Sequence, residues 1–128
     1  MKPSTEWKIY LAGPMGGYDE WNFPAFHKWA ALLRKLGYVV LSPAETAGQV
    51  THLSKEWYMD LDLNYVRVAD EVMLLPGWRQ SEGAKIEALV GQALGKRVSE
   101  IDMTPGGVLF KPVFIDLKHT ELLERRPK

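Results

Sequence analysis

Three acidic residues at fixed spacing carry the chemistry open to this chain. Asp62 and Asp70 stand eight positions apart in Asp62-Leu63-Asn64-Tyr65-Val66-Arg67-Val68-Ala69-Asp70. Glu87 follows in Ser81-Glu82-Gly83-Ala84-Lys85-Ile86-Glu87, near the start of a helical pattern. If Asp62 and Glu87 meet at one end of a sheet, one carboxyl can attack a glycosidic carbon while the other donates a proton. Such a pair works when its two surroundings push the pKa values apart. The helix dipole is expected to keep Glu87 ionised, and a buried stripe beside Asp62 to raise that group toward a proton donor.

The elements that must position these groups alternate regularly. Trp7 to Ala12 is an apolar run that stops at Gly13-Pro14 and reads as a buried strand. Asn22 is placed to cap a helix with Pro24 in its first turn, and Phe26, Trp29, Leu33 and Leu36 recur at helical spacing up to Gly37. Tyr38 to Leu41 is a second strand, and 44–53 reads as a long loop of the kind that forms lids. Ser54 caps the next helix, whose expected buried stripe is Trp57, Leu61, Tyr65 and Val68. Glu71 to Leu75 is a third strand. Ser81 to Leu94 is a helix with Ile86, Leu89, Val90, Ala93 and Leu94 toward the core, and Gly95 ends it. A fourth strand starts at Lys96, a turn spans Thr104 to Gly107, Val108 to Leu117 is a last strand, and 121–128 is a loose polar tail. Strand–helix alternation predicts a single α/β domain over 1–128, a flavodoxin-like or Rossmann-like open parallel sheet flanked by helices. Ligands in such sheets bind beyond the carboxyl ends of the strands, which brings Gly13 to Gly17, Pro43 to Thr46 and Pro76 to Gly83 together.

Composition narrows the classes. The chain has 128 residues, enough for one core, and 46% hydrophobic with 25% charged residues is a globular balance. Sixteen basic and sixteen acidic residues cancel, which argues against a nucleic-acid polymer as partner. Cysteine is absent, so neither disulfides nor thiolate ligands enter. No apolar run approaches a membrane span, and Met1 to Glu6 lacks a signal-peptide core, so the expectation is a soluble, cytoplasmic protein without membrane contact. His27, His52 and His119 are scattered and form no metal site with the acids. No metal or cofactor is expected.

Read together, these residues resemble the nucleoside 2-deoxyribosyltransferase superfamily, which includes nucleoside 5′-monophosphate N-glycosidases. The resemblance runs from about Ile9 to Lys96. It rests on Tyr10-Leu11-Ala12-Gly13, on the Asp62/Asp70 spacing and on Gly83 with Glu87. Within the superfamily the chain is most similar to a small phage- and prophage-type branch, through Gly13-Pro14-Met15, Asn22 to Phe26, Pro43-Ala44-Glu45 and Leu75 to Trp78. The resemblance implies that Glu87 attacks the anomeric carbon and that Asp62 contacts and protonates the departing base. It implies that Tyr10 orients the nucleophile and that Asp70 is structural. Gly13, Gly16, Gly17, Ser81 and Gly83 would supply backbone or hydroxyl contacts to substrate, and Trp78 would line the base pocket. The substrate would be a small nucleoside or nucleotide, and the protein a homodimer or larger homo-oligomer.

The transferases resembled carry an aspartate six residues before the nucleophile, where it binds the sugar 5′-hydroxyl. Here that position is Ser81. An aspartate repels a 5′-phosphate, whereas a serine hydroxyl donates to one, and the helix N-terminus behind it favours anions. This favours a monophosphate. The monophosphate glycosidases also place an arginine before their paired glycines, where Met15 stands here, leaving Arg79 as the candidate substitute. Two rival readings share the fold: a non-catalytic nucleotide-sensing module and an NAD-type glycohydrolase.

Overall fold

A computed structural model describes residues 6–47 and 53–116. The apolar run near the N-terminus is strand β1 (Lys8–Ala12), and Ile9, Tyr10, Leu11 and Ala12 are all buried. Burial on both faces follows from its place in the middle of the sheet. Strand order is β2 (Val39–Leu41), β1, β3 (Glu71–Leu74), β4 (Arg97–Thr104), β5 (Gly107–Pro112). The first four strands are parallel, and β5 returns antiparallel to β4. The order 2-1-3-4-5 is that of a doubly wound sheet whose switch point lies between β1 and β3.

Helix α1 (Phe23–Lys35) packs Phe26, Trp29, Ala30 and Leu33 onto one face, against Ile9, Leu11 and Met73. Helices α3 (Lys55–Val68) and α4 (Glu82–Ala93) cover the other face around Tyr10, Val72 and Leu74. Asp70 closes the α3–β3 junction. Its carboxylate accepts from the Lys8 amide at 2.8 Å, and its own amide donates to the Lys8 carbonyl at 2.8 Å.

Several expectations are corrected. Positions 44–53 do not begin as a loop, because α2 (Pro43–Ala47) starts directly after β2. Pro43 presets the first-turn φ, and Arg34 of α1 holds Glu45 with two hydrogen bonds of 2.6 and 2.7 Å. Positions 48–52, the end of the expected last strand and the tail at 121–128 lie outside the described residues. Asn22 stands at the N-cap position of α1 as expected, but its side chain makes no capping bond. It has φ 61, following Glu20 and Trp21 at φ 52 and 55, and its amide donates instead to the Pro14 carbonyl at 2.9 Å. The last strand stops at Pro112, and Ile115 is then clasped by both ends of the Gln92 amide.

The buried faces of α3 and α4 also differ from the expected ones. On α3, Trp57 and Val68 are exposed and Leu61 is half-buried, whereas Tyr65 packs against the core as expected; Met59, Asp62 and Val66 also turn inward. On α4, Ala93 and Leu94 are exposed, Ile86 and Leu89 are half-buried, Val90 packs against the core as expected, and the buried stripe is Ala84, Glu87, Ala88 and Gly91. Small residues let α4 approach the sheet closely. A Cβ placed on Gly91 would lie 2.8 Å from Cγ2 of the fully buried Val72. Gly91→Ala is therefore expected to destabilise by about 1–3 kcal/mol despite the better helix propensity of alanine. Urea unfolding measures this, and an unchanged midpoint would mean that Val72 yields at little cost.

Candidate active site

The switch point opens into a cleft of about 570 Å³. Its walls come from the loop after β1 (Gly13 to Gly16 and Tyr18), from Pro43 after β2, and from the inner face of α3. The start of α4 closes it, with Gln80, Ser81 and Gly83. Tyr10, Asp62 and Glu87 lie at its base, so three residues distant in sequence meet there.

Tyr10 is fully buried on β1, and its hydroxyl donates to Oε2 of Glu87 at 2.9 Å. Burial, with the negative potential of Glu87 and Asp62, raises the phenol well above its ordinary value, so it stays a donor. Asp62 reaches in from α3 and hydrogen-bonds to Glu87. Desolvation pushes Asp62 up to about 6, partly offset by hydrogen bonds from its neighbours. Glu87 is also raised well above the usual carboxylate range, first by burial and then by the charge on Asp62. The expectation that the helix dipole holds Glu87 down is therefore overturned. Glu87 is the sixth residue of α4, beyond the turn over which a dipole acts, and it lies on the face turned into the core. Two carboxyls in contact away from water hold one proton between them and titrate as a unit. Tyr10 favours the charged form of both carboxyls, while their mutual interaction lowers Asp62 and raises Glu87, so the shared proton rests on Glu87 in the free protein and must pass to Asp62 before Glu87 can attack.

The remaining predicted residues divide into two groups. Gly13, Gly16, Ser81 and Gly83 line the cleft. Gly13 is required for close approach, since a Cβ there would lie 2.8 Å from Cβ of Leu75. Ser81 caps α4, its Oγ accepting from the Ala84 amide at 3.2 Å, a bond that leaves its O–H proton for another acceptor. Gly17 is not in the lining; at φ +81 it serves the turn. Trp78 is also outside the lining. Its indole is buried against the α4 side of the sheet and donates to Glu100 at 3.2 Å. Arg79 stacks on that indole at 4.5 Å and is bonded to both oxygens of Glu100, at 3.0 and 3.2 Å, so it is committed away from the cleft.

Lys55, Tyr58 and Met59 also line the cleft, and sequence reading passed over them. They stand seven, four and three residues before Asp62, the same-face spacing of one helix. Following helical periodicity outward from Asp62 finds them. Among the described residues, no group of three His, Asp or Glu side chains could hold a metal ion, and no helix is long and apolar enough to cross a membrane.

The sheet and its flanking helices define the class: the fold is that of the 2-deoxyribosyltransferases. A 2-deoxyribosyltransferase from the psychrotolerant bacterium Bacillus psychrosaccharolyticus, described as a biocatalyst for synthesis of nucleosides, is 28% identical with a TM-score of 0.62. The match covers 89% of this chain and 80% of that one. A 2-desoxiribosyltransferase from Leishmania mexicana shares the fold at 19% identity and TM-score 0.58, covering 94% of this chain and 87% of its own. More particularly, the chain belongs to the family described as Domain of unknown function (DUF4406), which matches residues 7–100. No curated protein matches it.

Proposed function

We propose that this protein cleaves or transfers the N-glycosidic bond of a nucleoside or nucleoside 5′-monophosphate. The observation that carries the reading is the buried Tyr10–Glu87–Asp62 cluster at the base of the switch-point cleft. Similarity to 2-deoxyribosyltransferases supports it at the level of nucleoside glycosyl transfer. Glu87 attacks the anomeric carbon as the bond to the base breaks, and Asp62 gives its proton to the leaving base. The product is a glycosyl ester of Glu87 and a neutral base. Water resolves the ester in hydrolysis, and a second base resolves it in transfer.

The free hydroxyl proton of Ser81, the α4 N-terminus behind it and Lys55 in the same lining favour a 5′-phosphate. Lys55 takes the role that the geometry denies to Arg79. The protein acts as a homo-oligomer, and exposed Leu94, Leu109 and Phe114 supply apolar surface for the contact.

The test is release of free base, followed by chromatography, from ribo- and deoxyribonucleosides and their 5′-monophosphates. Base freed from monophosphates alone identifies a nucleotide glycosidase, and exchange between unphosphorylated nucleosides identifies a transferase. No release from any of them returns the site to a binding module. Ser81→Asp keeps an N-cap but sets a charge beside the phosphate. It is expected to cut turnover of monophosphates at least about tenfold while sparing nucleosides. Equal loss on both substrates would remove Ser81 from phosphate recognition.

A further inference from the structure

Tyr65 lies on α3 three residues beyond Asp62, so the two project from neighbouring positions on one side of the helix. It does not line the cleft. Its ring centroid is 6.1 Å from that of Tyr10, with the planes tilted by 32°. Its hydroxyl shares a 2.8 Å hydrogen bond with Oγ1 of Thr46 on α2. That short helix begins with Pro43, a wall of the cleft, and is anchored on its other side by the Arg34–Glu45 fork. Tyr65 thus joins two parts of the site without entering it.

We propose that Tyr65 is a positioning residue with two separable actions: its ring holds Tyr10 in the orientation that bonds Glu87, and its hydroxyl holds the α2 wall of the cleft in place. The Tyr10 hydroxyl reaches Oε2 of Glu87 at 2.9 Å in one placement of its ring, and a displacement of 1 Å is enough to lose such a bond. On the α3 side, the aromatic contact that fixes that placement is Tyr65. On the α2 side, a wall that begins at Pro43 is tied to α3 by the Thr46–Tyr65 bond. The two actions use different atoms of one side chain, so different substitutions remove them separately. The kinetic half of the test rests on the proposed reaction, and the titration half does not.

The experiment uses the full chain with ¹³C-labelled Asp and Glu carboxyls, titrated by NMR without substrate, beside steady-state kinetics. Tyr65→Phe keeps the ring. It is expected to leave the titration of the Asp62–Glu87 pair where it is and to raise KM about fivefold at unchanged kcat, the effect of one lost hydrogen bond. Thr46→Val should reproduce it. Tyr65→Leu removes the ring. It is expected to move the titration of the pair upward by about half to one pH unit, because Glu87 loses a donor to its charged form. Adding Tyr10→Phe to Tyr65→Leu should then move it no further, since both act through one bond. A Tyr65→Leu protein that titrates like the parent, or shifts that add in full, would overturn the proposal. If Tyr65→Leu does not fold, Tyr65→Met repeats the comparison with a side chain of similar length. An upward shift with no turnover on any nucleoside would keep the positioning role and discard the reaction. Turnover with an unmoved titration would do the reverse.

Discussion

Glu87→Gln lowers kcat by on the order of 10⁴–10⁶-fold while leaving substrate binding largely intact, and at neutral pH it makes the protein more stable. The first effect follows from loss of the nucleophile. The second follows from burial. Glu87 is 5% exposed on the core face of α4, and its carboxyl is raised well above the usual range. A group whose folded pKa exceeds its unfolded one holds its proton more tightly in the folded state, so stability falls as pH rises from the unfolded value through the folded one. Asp62, raised to about 6 by desolvation, acts in the same direction. Urea unfolding of the parent between pH 4 and 8 should therefore weaken steadily on the alkaline side. Glutamine removes one of the two charges and keeps an acceptor for Tyr10 and a donor for Asp62. A gain of about 0.5–2 kcal/mol at pH 7, with a flatter pH dependence, is expected. Alanine is the poorer test, because it leaves the buried Tyr10 hydroxyl without its acceptor. A Glu87→Gln protein that keeps turnover would end the covalent reading.

Asp62→Asn removes the acid rather than the nucleophile, with an expected loss of about 10²–10⁴-fold in kcat. Its more telling consequence is the shape of the pH profile. In the parent, kcat/KM should be bell-shaped. Below about pH 6 both carboxyls are protonated and nothing attacks. At higher pH the last shared proton leaves, and nothing protonates the base. The two apparent values belong to the pair. Asparagine cannot give up a proton, so the alkaline limb should vanish and the residual activity should rise to a plateau as Glu87 ionises. Substrates with better leaving groups should lose less activity. An Asp62→Asn profile that keeps both limbs would place the acid elsewhere.

Much of this site can be read without coordinates. Tyr10, Asp62 and Glu87 are assigned by the resemblance to the 2-deoxyribosyltransferases, which rests on Tyr10 to Gly13, the Asp62/Asp70 spacing and Gly83 with Glu87. The strand–helix alternation predicts a mostly parallel sheet, and its placement of ligands predicts the cleft. What escapes such reading has physical causes. On α4 the hydrophobic count selects the large side chains, yet the close approach demanded by Gly91 and Val72 turns the small ones inward and carries Glu87 with them. On α3 the inward stripe runs through a carboxylate, so a search for apolar periodicity steps around Asp62 and settles on Trp57 and Val68. Trp78 leaves the strand end as expected, but Glu100 on β4 captures its indole nitrogen. Neither that pairing nor the left-handed turn at Glu20 to Asn22 has a local signal, because each depends on a partner brought in by tertiary packing.

The bond between Tyr10 and Glu87 joins positions 77 apart. The tyrosine thus leaves a ribosome well before its partner, which follows 77 residues later. β1 also needs both β2 and β3 beside it before its ring is enclosed. Contacts of such separation form late, after the intervening loops have been closed. Recovery of turnover on refolding should therefore lag behind recovery of helical signal, making activity a clock for the final closure of the sheet. A nascent chain stalled before α4 would carry an intact β1 and no nucleophile, so the reaction is withheld until the fold is complete.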